Sequence, residues 1–221
     1  MIADARHIIA RRCALELREG EVVNLGIGIP TLAGNYIPAG RWIILHTENG
    51  AFGFGPKPGT RHADSDMANA SGEPITMAPG AAIMDLATSL GAARNGYIST
   101  TVLGGLEVDQ EGTLANWASR RNGKWWPGIG GAMDLCYGVP RVIAALQHTD
   151  KHGNSKVKRR TELPPTGRRC VKVIVTDKAV FDVTAAGLVL REAYAGLGVE
   201  DIRAITEAEF TVADDFGPMR Q

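Results

Sequence analysis

The stretch Trp42-Ile-Ile-Leu-His-Thr-Glu-Asn-Gly50 is the segment most informative about the fold. Its first half is apolar, which is typical of a strand buried on both faces of a parallel sheet. The apolar run stops at Glu48, and the Asn-Gly pair that follows favours a sharp turn with positive φ. The stretch therefore predicts a strand over residues 42–47 whose carboxyl end presents Glu48.

The sequence on either side alternates between strand-like and helix-like patterns. Residues 3–18 place apolar side chains on one stripe of a helix, with arginines on the opposite face, and residues 21–26 repeat the buried-strand pattern. Further strands are predicted at residues 75–77, 98–103, 139–146, 170–176, 179–183 and 188–190, and further helices at 30–37, 82–93 and 199–206. Strands that alternate with helices indicate an α/β fold, a mostly parallel open sheet with helices on both faces.

Three segments do not fit this alternation. Residues 50–60 are rich in glycine and proline and predict no regular structure, and residues 104–131 are predicted to be rich in loops. Residues 150–169 carry a basic run and predict a solvated excursion or a small hairpin. No linker pattern divides the chain, so we expect a single domain over residues 1–221.

Composition and charge exclude several classes of protein. The 24 basic and 24 acidic residues balance, which is not the pattern of a general nucleic-acid binder. The sequence contains no apolar run of about 18 residues and no leader-like N-terminal pattern, so we expect a cytoplasmic protein that does not enter a membrane. Its three cysteines, Cys13, Cys136 and Cys170, share no metal-ligand spacing and are expected to be reduced thiols.

Glu48 is the first candidate for chemistry. Open α/β sheets bind ligands in the crevice outside the carboxyl ends of their strands, which is where this carboxylate is predicted to lie. The turn at Asn49-Gly50 would hold its side chain away from the strand end. The same pattern is also typical of an acid that merely begins a turn or caps a helix.

Two glycine-rich loops are the next candidates, Gly26-Ile-Gly28-Ile-Pro30-Thr31 and Gly128-Ile-Gly130-Gly131-Ala132. Backbone N–H groups in such loops can bind a phosphate or an oxyanion, although tight strand–helix connections have similar sequences. The first loop lacks the third glycine of the dinucleotide fingerprint, and the sequence contains no Gly-Lys-Ser/Thr of the Walker type.

Metal and serine-hydrolase chemistry are both disfavoured. His46, His62, His148 and His152 lack metal-ligand spacing, and no serine occupies a Gly-x-Ser-x-Gly elbow. We therefore predict no metal site. The pair Trp125-Trp126 could stack on a ring, although such a pair in a loop more often packs against a partner or in the core.

Several blocks in a fixed order resemble a known family. The chain resembles the β subunit of family I 3-oxoacid CoA-transferases from about residue 5 to about residue 205. The resemblance is carried by Asn24–Thr31, Glu48–Gly50, Pro79–Ala81, Leu114–Trp117, Gly130–Leu135, Thr166-Gly167 and Ala179–Val183. Each block alone is unspecific, whereas the ordered set is specific.

The resemblance implies a fold, a nucleophile and a binding site. The fold would be CoA-transferase-like, related to ribose phosphate isomerase type folds, and Glu48 would be the catalytic carboxylate. Coenzyme A would be a substrate, and no cofactor would be bound permanently. The implied site residues are Asn49, Gly50, Gly26 and Gly28 in the oxyanion pocket, and Gly128, Gly130, Gly131 and Ala132 against CoA.

The implied reaction is transfer of CoA between an acyl-CoA and a free acid of the 3-oxoacid or dicarboxylic class. It would be ping-pong, through an acyl-glutamyl anhydride and a glutamyl-CoA thioester. A separate α subunit is expected, giving a heterodimer or a heterotetramer. An acyl-CoA hydrolase, a CoA-ester lyase or decarboxylase on the same scaffold, and a non-enzymatic binder are the alternatives.

Three segments depart from the family pattern and leave the acids open. Glu107 stands where an amide is common, and residues 82–96 lack the usual phenylalanines and Arg-Gly-Gly. Residues 118–127 replace a shorter proline-glycine segment. Arg120, Arg121 and Lys124 in that segment could meet the CoA phosphates or a dicarboxylate, or could remain solvated.

Overall fold

The computed structural model describes residues 4–59 and 63–221. The helices among these residues are α1 (Ala5–Glu16), α2 (Ile29–Ala33), α3 (Leu86–Arg94), α4 (Ala132–Gly138) and α5 (Val199–Ile205), with a 3-10 turn at Gly34–Tyr36. The strands are β1 (Val22–Leu25), β2 (Ile44–Thr47), β3 (Ala51–Phe54), β4 (Met77–Ile83), β5 (Thr100–Gly104), β6 (Glu107–Asp109), β7 (Leu114–Ala115), β8 (Ala118–Arg121), β9 (Lys124–Pro127), β10 (Arg141–Ala145), β11 (Val157–Lys158), β12 (Val171–Val175), β13 (Ala179–Thr184), β14 (Gly187–Ala193) and β15 (Phe210–Pro218).

Ten strands form one sheet in the order β15-β14-β13-β12-β10-β5-β1-β2-β3-β4. Its centre is parallel, because β2, β1, β5, β10 and β12 all run in the same direction. Antiparallel pairs add β3 and β4 at one side and β13 and β14 at the other. The last strand, β15, runs parallel to β14. The carboxyl ends of the central strands therefore meet at one edge of the sheet.

Helices cover both faces of this sheet, as the sequence predicts. On one face Ile9 and Cys13 of α1 pack with Val23 of β1 and Ile143 of β10. On the other face α3, α4 and α5 contribute buried residues that pack against the sheet: Ala93, Leu135 and Ile202. The parallel strands are thus buried on both sides, which explains their continuous apolar runs.

The prediction of an amphipathic helix at the N-terminus was wrong about one residue. Arg12 of α1 was expected on the solvent face, but its side chain is fully buried. Its guanidinium meets Glu16 at 2.8 Å and Glu192 of β14 at 2.6 Å. A buried charge is stable only when it is paired, and these two carboxylates supply the pairing.

The prediction of no regular structure over residues 50–60 was also wrong, because β3 forms there. His46 of β2 pairs with Phe52, and Thr47 pairs with Ala51, so β2 and β3 make a hairpin around the turn at residues 48–50. Gly53 adopts a φ of +79°, at a register shift between Phe52 and Phe54. Pairing with strands on both sides here outweighs the low strand propensity of glycine.

The helix predicted at residues 82–93 begins later, at Leu86. Ala82 and Ile83 belong to β4 instead, where they pair with Phe52 and Ala51. Asp85 then caps the helix, since its side chain accepts a hydrogen bond from the N–H of Thr88. The first residues of the predicted helix therefore form a strand instead, because they pair with β3.

Short strands also interrupt two segments predicted as loops or excursions. Residues 104–131 contain β6, β7 and the β8–β9 hairpin, and the segment 150–169 supplies β11, which pairs with β6. The closing strand β15 was not predicted at all. In the described ranges, no helix combines the length and the apolar character needed to cross a membrane.

Candidate active site

A cavity of about 360 Å³ opens at the carboxyl ends of the parallel strands. Four neighbouring strands contribute to it: Gly26 follows β1, Glu48 follows β2, Gly104 ends β5, and Leu146 and Gln147 follow β10. The loop at residues 128–130 and the first residue of α4 form its opposite wall. The structure thus brings the predicted carboxylate and both predicted glycine loops to one site.

Glu48 is half-buried at the first position of the β2–β3 turn. Its Oε1 lies 3.4 Å from the backbone N–H of Gly131, which donates to it. Burial raises the pKa of Glu48 above its ordinary value, the Gly131 bond opposes this rise, and the charge of Asp134 adds to it. A desolvated carboxylate of raised pKa is a more basic and more nucleophilic group than one in water.

Gly130 and Gly131 allow the main chain to approach that carboxylate. A Cβ at Gly131 would lie 2.8 Å from Oε2 of Glu48 and 2.7 Å from Cδ2 of Leu90. Gly130 has a φ of +51°, and a Cβ there would lie 3.0 Å from Oε1. A side chain at either position would have to displace the end of the Glu48 side chain, so the backbone of this loop lies directly against the carboxylate.

The remaining predicted residues of the CoA loop also line the cavity. Gly128 and Ala132 both face it, on either side of the Gly130-Gly131 pair. The N–H of Gly128 donates to the carbonyl of Trp117 at 2.6 Å, which ties the loop to the end of the β8–β9 hairpin. All four predicted residues of this loop therefore lie at the site.

Of the four residues predicted in the oxyanion pocket, one lines the cavity and three do not. Gly26 lines the cavity, whereas Gly28, with a φ of +90°, serves as the N-cap of α2 outside it. Asn49 is exposed, and its side chain donates to the carbonyl of Ala68 at 2.8 Å. Gly50 is buried, and a Cβ there would lie 2.0 Å from the carbonyl oxygen of Met84. Asn49 and Gly50 thus shape the turn that presents Glu48.

Three polar residues in the wall were not predicted as site residues, Asn116, Gln147 and Lys156, although Asn116 lies in one of the blocks that carry the family resemblance. Gln147 comes directly after a predicted strand, so the strand-end argument used for Glu48 would have found it. The ammonium of Lys156 lies 3.3 Å from the carbonyl of Gly105. Burial lowers the pKa of Lys156, although nearby carboxylates such as Asp150 oppose the change.

None of the described histidines lines the cavity. His46 and His148 are fully buried, and burial lowers the pKa of each to about 4, so both are neutral at pH 7. His62 lies outside the described residues. No cluster of three or more His, Cys, Asp and Glu side chains that could hold a metal ion occurs within residues 4–59 and 63–221.

The β8–β9 hairpin carries Arg120, Arg121 and Lys124, for which contact with CoA phosphates or a dicarboxylate and a solvated position were both left open, and the pair Trp125-Trp126. Arg120 pairs with Trp125 across the hairpin, and Ser119 pairs with Trp126. Trp125 and Trp126 alternate to opposite faces of the ribbon, and both are exposed. The hairpin thus presents an indole on each of its faces next to the cavity loop.

Known proteins match this chain over most of its length. A sequence model described as "Coenzyme A transferase" matches residues 6–204. The chain is 46% identical to the beta subunit of acetate CoA-transferase from Escherichia coli K12 over 98% of both chains. It is 43% identical to a succinyl-CoA:3-ketoacid coenzyme A transferase subunit of Helicobacter pylori 26695, covering 94% of this chain and 99% of that one.

A solved structure shares the fold. The acyl-CoA transferase YdiF of Escherichia coli O157:H7, in its apoenzyme form, superposes with a TM-score of 0.77 at 22% identity. The match covers 100% of this chain and 44% of the YdiF chain. With a family match over most of its length and two relatives above 40% identity, the chain belongs to the coenzyme A transferase family, as a CoA-transferase.

Proposed function

We propose that this protein is the catalytic β subunit of a two-subunit CoA-transferase, with Glu48 as its nucleophile. It transfers CoA between an acyl-CoA and a free carboxylic acid of the 3-oxoacid or dicarboxylic class. The observation that carries the proposal is the position of Glu48, half-buried at a strand end with the N–H of Gly131 at its carboxylate.

The first half-reaction loads CoA onto the protein. A carboxylate oxygen of Glu48 bonds to the thioester carbonyl carbon, the C–S bond breaks, and CoA leaves as a thiolate. The thiolate then attacks the Glu48 carbonyl carbon of the resulting anhydride, and the original acid leaves as a carboxylate. This gives a glutamyl-CoA thioester, and the acceptor acid repeats the two steps in reverse, so the kinetics are ping-pong.

The glycine loop supports this chemistry electrostatically. Each attack places negative charge on a tetrahedral oxygen, and backbone N–H groups held in place beforehand stabilise such charge. The N–H of Gly131 already points at the Glu48 carboxylate. We propose that the loop from Gly128 to Ala132 also lies along the bound CoA thioester, with Gly26 at the opposite wall.

The assignment is tested with Glu48→Ala in the complex with the α subunit. CoA exchange is expected to fall by at least about 1,000-fold, because the covalent route is lost. Intact-mass analysis of the unmodified protein with acyl-CoA should show a CoA adduct that peptide mapping places on Glu48. The matched control is Glu111→Gln, an exposed acid paired with Arg169 on the surface, which should keep full activity.

Two outcomes would contradict the proposal. If Glu48→Ala retained exchange activity, another group would be the nucleophile. If the complex released free CoA from acyl-CoA at the same rate with and without an acceptor acid, the protein would be a hydrolase.

The acids are a separate question, since the two relatives are named for different ones, acetate and a 3-ketoacid with succinyl-CoA. We propose an acid of the 3-oxoacid or dicarboxylic class, with Lys156 as a cation available in the cavity wall. A panel of acetate, acetoacetate, succinate and 3-oxoadipate as acceptors, compared by kcat/KM, decides the class. A preference for acetate over the other three would contradict it.

An α subunit partner is proposed from the names of the relatives and from the surface of the chain. Both relatives are named as one subunit of a larger enzyme, the first of them as its beta subunit. Large apolar side chains are exposed at Ile27 in the cavity wall and at Met133 and Tyr137 of α4, the last 86% accessible. Co-expression with an α chain followed by light scattering should give a heterodimer or heterotetramer, and Met133→Glu with Tyr137→Glu should weaken it.

A further inference from the structure

A chain of hydrogen bonds between buried side chains runs under the site and ends on the main chain of Glu48. The hydroxyl of Thr101 on β5 lies 2.8 Å from Oδ1 of Asn24 on β1. The amide of Asn24 lies 3.1 Å from Nδ1 of His46 on β2, and Nε2 of His46 lies 2.8 Å from the hydroxyl of Ser89 on α3. Ser89 in turn donates to the carbonyl of Glu48 at 2.8 Å.

The direction of every hydrogen bond in this chain is fixed. Thr101 donates to the amide oxygen of Asn24, so the NH₂ group of Asn24 faces the histidine and can only donate. Nδ1 of His46 therefore accepts, and the proton of the neutral ring is on Nε2, which donates to Ser89. This leaves the hydroxyl proton of Ser89 for the Glu48 carbonyl. Each of the four side chains donates one hydrogen bond to the next group, and none of them is more than 1% exposed.

Helix α3, which supplies the last side chain of this hydrogen-bond chain, contacts both halves of the site. Ser89 donates a hydrogen bond to the main chain of Glu48. The next residue, Leu90, lies against Gly131, because a Cβ at Gly131 would be 2.7 Å from Cδ2 of Leu90. Gly131 is the residue whose N–H reaches the Glu48 carboxylate. Two successive residues of α3 therefore set the distance between the carboxylate and the glycine loop.

We propose that Ser89, His46, Asn24 and Thr101 are positioning residues that fix the peptide plane after Glu48 and hence the direction of its side chain. The inference rests on the proposed role of Glu48 as nucleophile. A hairpin turn has backbone freedom, and an attacking group displaced by about 1 Å loses about 100-fold in rate. Fixing the Glu48 carbonyl to α3 removes that freedom without placing any of the four side chains in contact with substrate.

The test compares two neighbouring hydroxyls of β5 in the complex with the α subunit. Thr101→Val removes the first donor of the chain. Thr100→Val is the matched control, because Thr100 is equally buried but donates to Glu21 at 3.0 Å, outside the chain. Ser89→Ala removes the last donor. The readouts are kcat, KM for acyl-CoA, melting temperature, and the rate and final yield of the CoA adduct at Glu48.

Ser89→Ala is expected to lower kcat and the rate of adduct formation together, by about 10- to 100-fold. KM for acyl-CoA should stay within about threefold, and the final adduct yield should be unchanged, since the nucleophile is intact. Thr101→Val should lower kcat several-fold in the same way. Thr100→Val should share the fall in melting temperature but keep the kcat of the unmodified complex, which separates positioning from simple stability.

Other results overturn the proposal. If Ser89→Ala has the same kcat as Thr100→Val, the hydrogen bond to Glu48 has no positioning role. If Ser89→Ala slows the reaction but Thr101→Val does not, the buried chain beyond Ser89 is structural only. Should Ser89→Ala fail to fold, Thr101→Val against Thr100→Val decides. An adduct on another residue, or an active Glu48→Ala, would instead refute the proposed function itself.

Discussion

At the scale of single residues, the site depends on what a methyl group would displace. Gly131 donates to Oε1 of Glu48, and the space where its Cβ would be is already filled by Oε2 of the same carboxylate and by Leu90. A methyl group at this position would have to displace the carboxylate or the Leu90 side chain. The requirement for glycine is therefore steric, and it acts directly on the group proposed to react.

Gly131→Ala should consequently impair the reaction more than it impairs folding. We expect kcat to fall by about 10- to 100-fold, because the new methyl group pushes the Glu48 carboxylate away from its attacking position. Steady-state kinetics of the complex measure the effect. Gly198→Ala is the control, since a Cβ there makes an ordinary contact with Asp201 at 3.6 Å, and it should leave kcat unchanged. A Gly131→Ala enzyme within twofold of normal would show that the close contact relaxes freely.

At the scale of elements, α3 connects the fold to the site. It begins at Leu86, with Asp85 accepting hydrogen bonds from the N–H and from the hydroxyl of Thr88. Its middle supplies Ser89 to the main chain of Glu48 and Leu90 to the glycine loop. Any loosening of its first turn should thus reach both partners of the proposed chemistry.

The cap of α3 gives a prediction at this scale. Asp85→Ala should lower the melting temperature by about 2–4 °C, as expected for a lost N-cap in a domain of this size, and should also lower kcat. Asp85→Asn should preserve both, because asparagine caps helices as well as aspartate does. Calorimetry and kinetics on the two variants check this. Equal losses in both variants would mean that the charge of Asp85, and not its capping bond, is what matters.

At the scale of the whole molecule, two buried neutral histidines make stability depend on pH. His46 of β2 bonds to Ser89 below the site, and His148 bonds to Thr176 and Thr206 near the end of α5. Burial lowers the pKa of each from 6.5 to about 4. In the unfolded chain both would recover the ordinary value, so unfolding takes up protons between pH 6.5 and pH 4.

Stability should therefore fall as the pH falls below 6.5. By pH 5 the free energy of unfolding should have dropped by about 2 kcal/mol for each histidine, since each unit of pKa difference is worth about 1.4 kcal/mol. Urea unfolding at pH 7, 6 and 5 measures the change. Although burial opposes it, Arg12 lowers the pKa of Glu16 and of Glu192 below the ordinary carboxylate value, so these two groups do not account for a loss of stability between pH 7 and pH 5. A free energy of unfolding that stays constant from pH 7 to pH 5 would contradict the prediction.

Much of the central sheet could be predicted from sequence because its signals are local. A parallel strand buried on both faces is a continuous apolar run. The strands β1, β2, β10 and β12 lie within predicted runs, and β5 extends one residue beyond its run, to Gly104. The turn after Glu48 could also be predicted, since the pair Asn49-Gly50 favours a tight turn and this signal is local. The strands β3 and β15 were missed, because glycine-rich or polar segments become strands only when a neighbour is present to pair with them.

The sequence by itself thus determined the α/β fold, the strand end that carries Glu48 and the glycine loops able to face it. Tertiary structure alone decided which distant residues meet there. It turned Asn49 away from the cavity, brought Lys156 and Gln147 into its wall, buried Arg12 against Glu192, and placed Ser89 under Glu48. The physical reason is the range over which each effect acts. Periodicity and turn propensity act over a few residues, whereas these contacts join residues 19 to 180 positions apart through the packing of the whole sheet.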